Sequence, residues 1–134
     1  MLNETNTSLS FFRNFVESLQ TLFLYASIID KNKFVLHSTA GFNISRDDVS
    51  KLFDIFENND LNFSFTFQGE SWAFVKEYDD VIVNENKHAY LITYKSAKYL
   101  IVGFFDKKQF IQLNEFVKEL KEVIAKYDTT NIDE

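Results

Sequence analysis

With 134 residues, 46% hydrophobic and 17% aromatic, the chain is long and apolar enough to bury a core, which excludes a disordered protein. A net charge of -6 excludes general nucleic-acid binding, which needs clustered Lys and Arg to neutralise phosphates, and the absence of cysteine excludes disulfides and thiolate chemistry. The opening stretch lacks the basic and apolar regions of a signal peptide, and no apolar run approaches membrane-spanning length, so a soluble intracellular protein without stable membrane insertion is expected.

Residues 1–7 are polar and expected to fray. From Ser8 to Gln20, Leu9, Phe11, Phe12, Phe15, Val16 and Leu19 follow the i, i+3, i+4 spacing of one helix face. Leu22 to Ile29 is an apolar run too short for a second helix, and it predicts a strand buried on both faces. The turn set Asp30 to Lys33 then leads into a partner strand, Phe34 to Ser38. Ser45-Arg46-Asp47-Asp48 has the form of a helix N-cap with carboxylates in the first turn, and Val49, Leu52, Phe53 and Phe56 mark the helix, which ends at Asn58-Asn59-Asp60.

The next block is β throughout. Asn62 to Phe67 alternates strictly, with Phe63, Phe65 and Phe67 on one face. Gln68-Gly69-Glu70 turns into a strand from Ser71 to Tyr78, and a short strand Val81 to Val83 follows Asp79-Asp80. Ala89 to Asp106 predicts a central hairpin about the turn Lys95 to Lys98, with Gly103 as a bulge or a point of close approach by a helix. The last helix runs from Phe110, its stripe being Leu113, Val117, Leu120, Ile124 and Tyr127, and residues 128–134 form a polar tail. A single domain over 1–134 is expected. Its fold class is α+β, a mostly antiparallel sheet of about seven strands with the terminal helices on one face and the middle helix on the other.

Nothing in the chain carries chemistry. His37 and His88 have no second His or carboxylate at a ligand spacing, and three isolated glycines cannot build a phosphate loop. Asp47-Asp48 and Asp79-Asp80 are explained as helix-cap and turn residues. No enzyme activity, cofactor or metal is expected. Lys95, Lys98, Lys107 and Lys108 are close in sequence and are best explained as solvated residues flanking strands. Phe11, Phe12, Phe15 and Trp72 are core candidates with an aromatic surface patch as the alternative.

The β block resembles the profilins. Ala26-Ser27-Ile28-Ile29 and Phe34-Val35-Leu36-His37-Ser38 look like the family's first hairpin, Phe67-Gln68-Gly69-Glu70-Ser71-Trp72 resembles its glycine-bearing strand pair, and Leu91 to Asp106 fits its penultimate hairpin without a gap. The resemblance spans about residues 9–127 and implies a monomeric, cytoplasmic, cytoskeleton-associated protein that binds actin monomers and regulates actin polymerisation. The actin-binding positions carried over are Ser71, Ala73, Phe74 and Lys76 on the sheet, and Gln109, Asn114, Lys118 and Glu119 at the last helix. Ala89, Leu91 and Thr93 are candidates for the floor of that face.

The family's proline-rich-segment site corresponds here to Phe12, Phe15, Val35, Val123 and Tyr127. Two hydrogen-bond donors have become Phe and two ring positions Val, so only weak binding is expected. An acidic chain argues against the family's phosphoinositide binding. These departures are those of a divergent member, of the archaeal type that accompanies eukaryote-like actins. The alternative is a roadblock or longin-type dimeric scaffold or small-GTPase regulator, which generally has five strands.

Overall fold

The computed structural model describes residues 4–58, 65–108 and 112–128, without the side chains of residues 4–9 and 58. Among these residues the chain runs α1 (Glu4–Leu19), β1 (Tyr25–Asp30), β2 (Val35–Ser38), α2 (Arg46–Asn58), β3 (Phe65–Phe67), β4 (Glu70–Tyr78), β5 (Val81–Glu85), β6 (Ala89–Lys95), β7 (Tyr99–Asp106) and α3 (Leu113–Asp128). The strands form one sheet in the order β2-β1-β7-β6-β5-β4-β3, and every neighbouring pair is antiparallel. Asn62 to Ser64 and Phe110, expected in β3 and α3, lie outside the described residues.

Both sheet faces are apolar, so both need cover. α1 and α3 cover one, where Phe15, Leu19, Phe116 and Leu120 pack on Ala26, Ile28, Val83 and Ile101. α2 covers the other, with Val49, Leu52 and Ile55 against Ile29, Ile82, Leu91 and Val102. This is the layering expected from the sequence. Strand alternation sorts the two cores, since Leu91 and Ile92 are adjacent in β6 and are buried on opposite faces.

β1 begins later than the apolar run does. Leu22 and Phe23 donate their backbone N–H to the Leu19 carbonyl and so complete the end of α1 before the strand starts. Phe23 then turns into the α1–α3 core and lies across β7 at Gly103. Gly103 pairs in register with Ala26 and Ile92, so it is no bulge, and the close approach is made by Phe23 where a helix was expected.

A chain with no proline and three glycines closes its turns with Asp, Asn and Ser side chains. Asp30 Oδ1 accepts the N–H groups of Asn32 and Phe34, Asn86 Oδ1 those of His88 and Ala89, and Asp106 Oδ1 that of Lys108. Lys33, Gln68 and Asp79 take positive φ in these tight connections. Ser45 caps α2 through the Asp48 N–H, as expected, while the Asp48 carboxylate reaches the Gln68 N–H at 3.0 Å and ties α2 to the β3–β4 turn.

Asp128, expected at the head of the polar tail, is the last residue of α3 and holds the β6–β7 turn. Its carboxylate accepts from Ser96 Oγ at 3.0 Å and from the Ala97 and Lys98 N–H groups at 3.2 Å. Asp128→Ala is expected to lower unfolding free energy by about 1–2 kcal/mol, as loss of hydrogen bonds to a charged acceptor does. Urea unfolding checks this, and an unchanged midpoint would show that the latch carries no stability.

Candidate functional site

The surface that gathers most of the expected residues is the part of the α1–α3 face beyond α3, on the β4 side of the sheet. Directly paired residues of antiparallel strands share a face. Lys76 pairs with Val83 and Tyr78 with Val81, and both valines belong to the α1–α3 core. Ala73 pairs with Glu85 on the same face, and the register slips between Phe74 and Lys76. That β-bulge is the key local feature, because strict alternation would put Ala73 and Lys76 on opposite faces. Ser71, alternating with the α2-side residue Trp72, joins them.

On this face the Lys76 ammonium stands 4.7 Å from the centre of the Tyr78 ring, and the Tyr78 hydroxyl donates to Asn114 Oδ1 at 2.7 Å. Strand and helix are thereby fixed against each other. Lys118, one turn beyond Asn114, is exposed, and Lys121 Nζ lies 3.9 Å from Asp79 Oδ2 in the β4–β5 turn. At the far end of the patch Lys107 Nζ is 2.7 Å from Glu85 Oε1 and 5.0 Å from the Tyr90 ring centre.

Ser71, Ala73, Lys76, Asn114 and Lys118 are therefore brought together. Phe74 is not: it pairs with Asn84 and packs on the α2 side. Glu119 is exposed but lies well round α3 from Asn114 and Lys118. Gln109 lies outside the described residues. Ala89, Leu91 and Thr93 face α2, so the floor of the patch is instead Glu85 and Tyr90. Sequence reasoning missed Tyr78, Glu85, Tyr90 and Lys107. Tyr78 was within reach as the i+2 neighbour of Lys76, whereas the others depend on register.

The second set is split as well. Phe15 and Tyr127 stack with centroids 4.4 Å apart, Phe12 meets Tyr99 edge-on at 5.7 Å, and Phe11, an aromatic-patch candidate outside the implied proline-rich-segment set, meets Tyr127 at 5.5 Å. The Tyr127 hydroxyl is hydrogen-bonded with Ser18 Oγ at 2.7 Å. Phe15 is fully buried, Phe12, Val123 and Tyr127 are half-buried against the same core, and Val35 pairs with Ile29 on the α2 side. The cause is again a slip in register, between Ile28 and Ile29. His37 sits opposite Ile28 on β2, and His88 is exposed in the β5–β6 turn. Among the described residues no group of three or more His, Asp or Glu could hold a metal ion, and no helix is long and apolar enough to cross a membrane.

Burial pushes the Tyr94 phenol above its ordinary 10.0, with the Asp80 and Asp128 carboxylates adding to the rise. The folded state thus keeps a proton that the unfolded chain releases, so this contribution to stability is intact below pH 10.0 and falls as pH climbs beyond it. Tyr94→Phe is expected to lose less stability than wild type between about pH 9 and pH 11. Urea midpoints at both values check it, and equal losses would overturn it.

The profilin family model matches residues 13–128. Among solved structures, Acanthamoeba castellanii profilin IA is 21% identical, with 87% of this chain and 94% of that chain covered at a TM-score of 0.68. Schizosaccharomyces pombe profilin is 15% identical over 90% of this chain and 94% of that chain, TM-score 0.69. LokiProfilin1, in a complex with rabbit actin, is 16% identical over 95% and 96% at a TM-score of 0.68. No curated protein sequence matches the chain. Seven antiparallel strands between a pair of terminal helices and a middle helix leave the roadblock or longin alternative without support, and with the family match across all but the chain ends, the protein belongs to the profilin family.

Proposed function

We propose that this protein binds an actin monomer through the β4–α3 surface and regulates actin polymerisation in the cytoplasm, as a single monomeric domain with no chemistry of its own. The observation that carries this reading is the bulge in β4, which sets Ala73 and Lys76 on one face beside Asn114 and Lys118. The likeness to LokiProfilin1, seen in complex with rabbit actin, supports the choice of partner. Of the positions implied by resemblance, Ser71, Ala73, Lys76, Asn114 and Lys118 make the contact surface. Tyr78, Glu85, Tyr90 and Lys107 brace it, and Phe74 and Glu119 stand outside it. The surface is built from mixed charges, an aromatic pair and small side chains, which suits a protein face better than a small ligand.

Proline-rich binding is a weaker part of the proposal. It is confined to the half-buried surfaces of Phe12 and Tyr127, with Phe15 as their support. The test of the main reading is spontaneous assembly of a cognate actin, followed by pyrene fluorescence and pelleting. Assembly should slow and the pelleted fraction fall with increasing protein. Unchanged polymerisation at saturating protein would end the proposal.

A further inference from the structure

α2 does not cover its face of the sheet to the end. Past its reach, where β4 and β6 begin and β7 finishes, lies an open groove of about 220 Å³ to which no α2 residue contributes. Its apolar lining is Trp72, Ala89 and Phe104, the edge of the α2-side core, together with Leu24, which is 58% exposed. Leu24 thus leaves a large aliphatic side chain in water at the lip of an apolar groove. Trp72 is 2% exposed and its Nε1–H is spent on the Phe67 carbonyl, so the indole underlies the groove as a buried apolar floor and leaves no donor free for a ligand.

The polar rim consists of Asn86, His88 and two acids. Glu70 and Asp106 both line the groove, and each is held in place from within the protein, Glu70 by Asn86 Nδ2 at 3.2 Å and Asp106 by the Lys108 N–H at 2.8 Å. Neither is in an ion pair among the described residues, and of the cations next to this region in sequence, Lys107 is paired with Glu85, and Lys87 and Lys108 do not line it. Two carboxylates held in place without counter-charges beside an apolar slot complement a cation on a chain that also carries an aliphatic group. The volume is below the roughly 300–1,000 Å³ of sites for drug-sized ligands and suits one or two side chains.

We propose that this groove docks a segment of a partner protein that presents a single aliphatic side chain flanked by arginine or lysine. It is distinct from the β4–α3 surface, because Ser71 and Ala73 point to the opposite face of the strand that supplies Trp72. One partner on each face can therefore be held at the same time.

The protein carries its own reporter, since Trp72 is the sole tryptophan. Its emission is followed while a synthetic peptide with one leucine between two arginines, in a Gly-Ser frame, is titrated into the intact protein. A saturable shift with Kd of about 1 mM is expected. The same frame with leucine between two aspartates should give none. The double variant Glu70→Gln, Asp106→Asn should weaken binding at least about fivefold. Leu24→Ser, at an exposed position that the fold does not need, should weaken it as well. Circular dichroism confirms that each variant is folded. Absence of a shift up to about 10 mM peptide, an equal response to the acidic peptide, or an unchanged Kd in the folded variants would each overturn the proposal.

Discussion

Lys76→Glu is expected to weaken actin binding by about 30-fold, or roughly 2 kcal/mol, on the proposed β4–α3 contact surface, since reversing a charge within a protein interface sets like charges together. The size of the effect follows from where the bulge puts the residue. Lys76 is exposed on the braced patch, its ammonium held over Tyr78, which is itself anchored to Asn114. Because the side chain is exposed, the same substitution should change folding stability by no more than about 0.5 kcal/mol. Titration calorimetry with monomeric actin separates the two quantities. Glu119→Gln, on another side of α3, serves as the comparison and is expected to bind actin within about twofold of wild type. If both variants bind as wild type does, the contact surface lies elsewhere on the molecule.

Gly103→Ala has the largest expected effect on stability. A Cβ at this position would stand 2.7 Å from two atoms of the Phe23 ring and 2.7 Å from the Tyr25 carbonyl oxygen. The ring could swing aside only by disturbing its edge-on contact with Phe116 at 5.1 Å, and the carbonyl belongs to the neighbouring strand. Overpacking of this kind costs about 3 kcal/mol, near the upper end for an added methylene in a filled core. Phe23→Leu in the same chain should relieve part of that loss while costing stability on its own in the wild-type background, so the pair should be strongly coupled. Chemical denaturation of the four proteins in the cycle reads the coupling. Additive losses would mean that the backbone oxygen alone sets the glycine requirement.

Most of the architecture was legible because it rests on periodicity. The helix stripes, the turn clusters and the alternation of β6 and β7 carry the layering directly, and the hydrophobic sets around Leu91 and Ile92 are those found in the two cores. What was hidden is the face on which particular strand residues fall. Phe74 and Val35 both fall on the face opposite their expected neighbours: ordinary alternation separates Phe74 from Ala73, and slips in register at Phe74/Lys76 and Ile28/Ile29 separate Phe74 from Lys76 and turn Val35 to the α2 side. Neither slip has a glycine or proline to announce it. A bulge of ordinary residues leaves no mark in the composition, yet it inverts every assignment beyond it. The role of Gly103 was hidden differently, since the ring that excludes a side chain there comes from a segment distant in sequence. Asp128 was lost in a polar tail because its partners, the Ser96 hydroxyl and the Ala97 and Lys98 N–H groups, lie some thirty residues away in sequence.

The strand order β2-β1-β7 places a demand on the growing chain. Apart from β2, the only neighbour of β1 is β7, and Asp30 must wait for Tyr99 before its strand is closed on the second side. A nascent chain that has emerged as far as β6 therefore holds an N-terminal hairpin with one open edge and an α1 whose apolar stripe has half a sheet to lie on. Contacts so distant in sequence slow the final closure, and the sheet forms as a unit once β7 threads between β1 and β6. Pulsed hydrogen exchange during refolding should show β1 amides protected no earlier than those of β7, and earlier protection of β1 would mean that the first hairpin stands alone.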